Sequence, residues 1–90
     1  MDQQQAEILA LNALAFLASE PFKWQAFLVQ SGIDPTHVRA QVGDLDFLQG
    51  VLDFIASRED WVVAFADAAR LAPETVNAAR RSLAHAQDLD

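Results

Sequence analysis

Displaced by 38 positions, the chain matches itself: Leu14 to Ala40 falls on Leu52 to Ala78 with nine identities in 27 positions. In a chain so rich in Ala and Leu, chance alone supplies about two or three such identities. The matched pairs include Phe16/Phe54, Ser19/Ser57, Phe27/Phe65, Pro35/Pro73 and Val38/Val76. An echo of this period predicts two related helical units, over residues 5–43 and 44–86. Two units are too few for a stable open solenoid, so the expected arrangement is a closed bundle whose halves cover each other.

Each unit reads as three helices. Gln3 to Ala18 is apolar on almost every face after Gln5, with only Glu7 and Asn12 interrupting, which suits a central helix surrounded by others. Ser19 is expected to cap the next helix, with Glu20 and Pro21 in its first turn, Trp24, Phe27, Leu28 and Ser31 at helical spacing, and Gly32 as its end. Asp34-Pro35 starts a short third helix through Val42 that turns Ile33 and Val38 inward. In the second unit Asp44 caps a helix carrying Phe47, Leu48, Val51, Leu52 and Ile55 on one face, and Gly50 is expected to let a neighbour approach. Ser57-Arg58-Glu59-Asp60 resembles a capping box ahead of Trp61, Phe65, Ala68 and Ala69. Ala72-Pro73 opens the last helix, with Val76, Ala79 and Leu83 inward and Asn77, Arg80, Arg81 and His85 outward. Residues 87–90 are expected to fray. No segment alternates like a strand and no linker divides the halves, so the reading is all-α: a compact bundle of about six short helices forming a single domain over residues 1–90.

Composition narrows the function classes. The hydrophobic fraction is 52%, but 17 of these residues are Ala, which brings helices close without adding much buried area. Without Cys there is no disulfide, no thiolate nucleophile and no Cys-ligated metal, which fits a reducing compartment. A net charge of -7 with only six Lys and Arg works against polyphosphate partners. The apolar run Ala6 to Ala18 is 13 residues long, too short to span a bilayer, and no Lys or Arg precedes Lys23 as a signal peptide would need. A folded helix in a cytoplasmic protein with no membrane partner is expected.

The chemistry-bearing residues are few. His37 and His85 read as surface groups, and no H-E-x-x-H, G-x-S-x-G or phosphate-cradling glycine loop occurs. No catalytic, cofactor-binding or metal-binding residue is nominated, no cofactor is expected, and the chain is not expected to be an enzyme. Asp44 and Asp46 form a D-x-D pair, but the further oxygen ligands of a calcium loop are missing. Gly32-Ile33 followed by Val38, and Leu71 followed by Val76, imitate a helix-turn-helix; DNA would then meet Arg39, or Arg80 and Arg81, beside Asp34 and Glu74. Under the 38-residue offset Trp24 aligns with Val62 and Trp61 with Lys23. Both tryptophans read first as core fillers; alternatively one stands off the shared core, partly exposed and open to a partner. The candidate partner contacts are Trp24, Trp61, Arg80 and Arg81.

The series FLASEPF, FLVQSGIDPTHVRAQVGDLDFLQGVLDFI and FADAARLAPETVNAARRSL, spanning about Ala6 to Leu83, resembles domain-of-unknown-function family 3572, a small family seen mainly in alphaproteobacteria. The likeness rests on the Ala/Leu-rich first helix, the glycine-hydrophobic-x-proline step at Gly32 to Pro35, the Gly43-Asp44 junction with Phe47-Leu48, and the step at Leu71 to Pro73. One departure is Arg70, which stands where the first half has Gly32. The resemblance implies an all-helical cytoplasmic protein and carries over no active site, ligand or partner. The residues themselves lead to a noncatalytic protein-interaction or regulatory domain, working through an acidic, partly aromatic surface or through self-association, for instance as a homodimer. The alternative is a nucleic-acid-binding regulator using the last helix, and a third reading is a small apolar ligand held between the halves.

Overall fold

A computed structural model of the chain describes residues 1–88, in the order α1 (Gln3–Ala18), α2 (Pro21–Ser31), a 3-10 turn (Pro35–His37) leading into α3 (Val38–Gln41), α4 (Leu45–Ala56), α5 (Glu59–Ala69) and α6 (Glu74–Asp88). The protein is an all-α bundle of six helices, with no strand among the described residues. Its Cα radius of gyration, 12.2 Å, equals the roughly 12 Å of a fully packed domain of this length. Among the described residues no helix is long and apolar enough to cross a membrane.

The bundle is organised by α1, α4 and α6. A reciprocal cap starts α1: Asp2 Oδ1 accepts from the Gln5 backbone N–H at 2.7 Å, and the Gln5 side chain accepts from the Asp2 backbone N–H at 3.2 Å. Along α1, Ala6, Ala10 and Ala13 are fully buried at helical spacing, so their small side chains let α4 and α6 come close. Leu9, Leu14 and Leu17 fill the space beside them. From α4 come Phe47, Leu48, Val51, Leu52, Phe54 and Ile55, and from α6 Val76, Ala79, Leu83 and Ala86. Helix α1 also touches α2 and α5, as a central helix should, yet Ile8 and Leu11 remain exposed on it. Three aromatic pairs cross between the halves: Phe16 of α1 meets Phe65 of α5 with ring centroids 5.6 Å apart, and Phe27 of α2 meets Phe54 and Phe47 of α4 at 5.4 and 6.1 Å.

Helix boundaries follow the 38-residue offset. Helix α1 ends at Ala18 and α4 at Ala56, while α2 covers Pro21–Ser31 and α5 covers Glu59–Ala69. Gly32 ends α2 in the left-handed conformation with φ 71°, and Arg70 ends α5 in the same conformation with φ 59°. The offset breaks at the last helix. Gly43 and Asp44 stop α3 and cap α4, whereas the matching Arg81 and Ser82 continue α6, which is therefore long enough to pack on both α1 and α4.

Several local expectations are corrected. Ser19 does not cap α2: its hydroxyl donates to the Phe16 carbonyl at 2.7 Å and closes α1, and the extended Glu20 precedes Pro21 instead. Ser57 does the same for α4, donating to the Phe54 carbonyl at 2.6 Å, so no Ser57 capping box forms and Arg58 precedes α5. A hydroxyl one residue past a helix end reaches back to a free carbonyl before it can reach a helix that starts two residues later. Ala68 is exposed, and Ala66 takes the buried place beside Phe65. No neighbour approaches Gly50, since a Cβ built there meets nothing within 4 Å. Gln87 and Asp88 are helical, not frayed, because Gln87 Nε2 donates to Gln49 Oε1 of α4 at 2.8 Å; residues 89 and 90 lie outside the described part.

A left-handed non-glycine residue costs about 1 kcal/mol or more. Arg70→Gly is therefore expected to raise stability by about 0.5–1 kcal/mol and Gly32→Ala to lower it by about 1 kcal/mol. Urea unfolding at constant m-value reads both shifts; a lower midpoint for Arg70→Gly would show that the Arg70 side chain itself holds the turn.

Candidate functional site

The two tryptophans stand at the ends of a chain of rings. Trp24 on α2 stacks on Phe27 at 5.7 Å, Phe27 meets Phe54 edge-on, and Phe54 meets Trp61 of α5 at 5.2 Å. Both tryptophans are half-buried and packed against the core. Two cations lie over the Trp61 ring: the Arg58 guanidinium at 5.1 Å and Lys23 Nζ at 5.5 Å, with Lys23 also 5.8 Å from Phe16. Exposed cation–π contacts of this kind contribute about 0.5–1 kcal/mol each.

The arginines lie elsewhere, on α6. Arg80 Nε donates to Asp53 Oδ1 at 2.8 Å and its Nη1 to Asn77 Oδ1 at 3.1 Å, while Arg81 is exposed. With side chains 38% and 46% accessible, the Arg80–Asp53 pair contributes on the order of a few tenths of a kcal/mol to stability. Its effect on charge matters more, since one of the two cations of this face is already committed to a carboxylate of α4.

Asp53 also borders a cleft that the sequence did not nominate. This opening of about 360 Å³ lies between the end of α2 and one face of α4. Phe27, Ser31 and Ile33 form one side; Phe47 and Phe54 form the other, with Asp46, Gly50 and Asp53 between. The last three follow an i, i+4, i+7 spacing and so share one face of α4. That spacing was visible in the sequence, but the approach of α2 to it was not. The cleft lies where a ligand between the halves would sit, though it is an open groove and not an enclosed chamber.

The remaining titratable groups serve local structure. The Thr36 backbone N–H, then its hydroxyl, donate to the Asp34 carboxylate and hold it below its ordinary pKa. The Arg58 side chain does the same for Asp60. Both carboxylates are at the surface and belong to turns or helix starts, as does Asp44, whose Oδ1 accepts from the Asp46 N–H at 3.0 Å. His37 and His85 are exposed. Among the described residues no polar or charged side chain is buried, and no three carboxylate or imidazole groups are grouped to hold a metal ion. What the geometry supplies is an aromatic groove with acidic edges and a mixed-charge face on α6.

The family model described as "protein of unknown function (DUF3572)" matches residues 3–86, and the chain belongs to that family. No curated protein and no solved structure matches it.

Half-buried tryptophans are expected to be quenched by acrylamide less than free indole but not protected from it. In a Trp24→Phe background, Arg58→Ala removes part of the cover over Trp61 and should raise its quenching with a stability change below about 1 kcal/mol; unchanged quenching would mean that Arg58 does not shield the ring.

Proposed function

We propose that this protein is a noncatalytic interaction domain that associates with a second copy of itself through the outer face of α2. The observation that carries the reading is the double-sided apolarity of that helix. One side buries Phe27 and half-buries Trp24 and Leu28; the other leaves Phe22 91% and Val29 77% exposed, with exposed Ala26 between them. Phe22, Ala26 and Val29 follow an i, i+4, i+7 stripe.

The other half supplies a comparison within the same molecule. Helix α5 covers the same positions under the 38-residue offset, and there Asp60 and Asp67 stand in place of Phe22 and Val29, both exposed. The fold thus accepts carboxylates on this face of a helix, and folding alone gives no reason for Phe and Val on α2. A contact with another surface does.

Charge favours a second copy as that surface. Between Pro21 and Ile33 the only charged residue is Lys23, in a chain of net charge -7, so two copies meeting there bring no carboxylates face to face. Antiparallel pairing about a two-fold axis sets Phe22 against Val29 of the partner, with small Ala26 near the crossing. Nucleic-acid binding through α6 has weaker support, because Arg80 is paired with Asp53.

Light scattering coupled to size-exclusion chromatography, run over increasing concentration, tests the reading. A dimer is expected that Phe22→Ser or Val29→Ser converts to monomer, with helical content unchanged and stability altered by no more than about 0.5 kcal/mol, since both side chains are exposed. A strict monomer at every concentration that also captures no protein counts against it.

A further inference from the structure

Gly50 is placed where helix energetics argue against it. A glycine inside a helix is less favourable than alanine by about 1 kcal/mol, and the usual reasons for keeping one are a left-handed backbone or the close approach of another chain segment. Neither holds: Gly50 is not among the positive-φ residues, and a Cβ built on it meets nothing within 4 Å. What the missing side chain provides is open space halfway along the α2/α4 cleft.

The surroundings of that space define what can enter it. Phe47 and Phe54, three residues before and four after Gly50, line the cleft with it, and Phe27 stands against both at 6.1 and 5.4 Å. This floor is apolar. One turn beyond it on either side are the carboxylates Asp46 and Asp53. Asp53 is engaged by Arg80, whereas Asp46 has no ion-pair partner among the described residues. Seven residues of helix separate the two, roughly 10 Å at 1.5 Å per residue, which about three residues of extended chain can cover.

We propose that the α2/α4 cleft docks an extended segment of a partner protein in which a Lys or Arg lies close to a large apolar residue. The apolar side chain sits over Gly50 on Phe27, Phe47 and Phe54, and the cation pairs with Asp46. Anionic segments are disfavoured by both carboxylates and by the net charge of -7. The inference rests on the reading of the protein as an interaction domain, but it uses a different surface from the outer face of α2.

The test uses the isotopically labelled full chain and a panel of short synthetic peptides with one Arg or Lys two residues from a Phe or Leu, alongside matched peptides with Glu in place of the cation. Basic peptides are expected to shift the amide signals of Ser31, Phe47 and Gly50, more weakly as salt increases. Gly50→Leu fills the cleft and should weaken binding by about tenfold or more, while Gly50→Ala adds only a Cβ, raises the unfolding midpoint and leaves binding within about threefold. Asp46→Asn should weaken it by up to about fivefold, as expected for an exposed ion pair. Equal binding by Gly50→Leu, equal binding of the Glu peptides, or no shift with any basic peptide overturns the proposal. Shifts centred on Phe22 and Val29 overturn it too while keeping the interaction-domain reading. Shifts in the cleft that grow with protein concentration in the absence of peptide assign it to a second copy, and also overturn it.

Discussion

The outer helices α2 and α5 are held to the bundle by one contact made twice. Phe16 against Phe65 ties α1 to α5, and Phe27 against Phe54 ties α2 to α4. Under the 38-residue offset Phe16 corresponds to Phe54 and Phe27 to Phe65, so each pair is the reciprocal of the other. Two further contacts join residues to their own counterparts: Gln49 with Gln87, hydrogen-bonded at 2.8 Å, and Lys23 with Trp61, 5.5 Å apart. Reciprocal pairs and self-pairs are the contact pattern of an isologous interface, here inside a single chain. In a domain whose central helix is lined with Ala, aromatic area supplies much of what holds the outer helices, and each ring pair adds about 0.5–1.5 kcal/mol beyond burial itself.

The two halves reach similar local structure with different residues. The left-handed turn after α2 uses Gly32 and the one after α5 uses Arg70, yet both reach the same backbone conformation. The stop at Gly43-Asp44 and its absence at Arg81-Ser82 make α3 one turn long and α6 the longest contact surface for α1 and α4. Some outward-facing positions differ in chemical character where nothing in the bundle meets them. Phe22 and Val29 against Asp60 and Asp67 are the clearest case: one face is apolar, the other solvated, on helices of equal length.

The helices and their order were legible because apolar spacing and Pro or Gly punctuation act locally. Gln3–Ala18, the Asp44 cap, the Gly32 end and the buried face of α6 all follow from nearby residues. Capping hydroxyls were harder to assign, since Ser19 and Ser57 lie between two helices and sequence alone does not say which end each will serve. The cleft was not legible. Asp46, Gly50 and Asp53 declare a shared face of α4, but that face becomes a groove only when Phe27 of α2 and Ile33 just beyond it arrive, and tertiary pairing is not encoded in local spacing. Gly50 misled for the same reason: a mid-helix glycine signals empty volume, and only the structure tells whether a neighbour fills it. The tryptophans were expected to be either core or surface, and both are half-buried against the aromatic chain, with Trp61 alone also under cations.

Helices α2, α4 and α5 differ in the charge they show to solvent. The carboxylates that face solvent concentrate on α4 and α5, where Asp46, Asp53, Asp60 and Asp67 lie, while the uncovered apolar side chains of α2 have only Lys23 as a charged neighbour on that helix. Helix α2 therefore takes part in two chemically distinct surfaces. Its buried side gives Phe27 to the acidic groove, and its outer side offers Phe22 and Val29 as a neutral stripe. A neutral stripe suits a copy of the same acidic chain, because it minimises like-charge repulsion; an acidic groove suits a cation, because its carboxylates are half of an ion pair. The two proposed surfaces follow opposite electrostatic rules and lie on different sides of α2, so neither proposal requires its occupant to take the other's place.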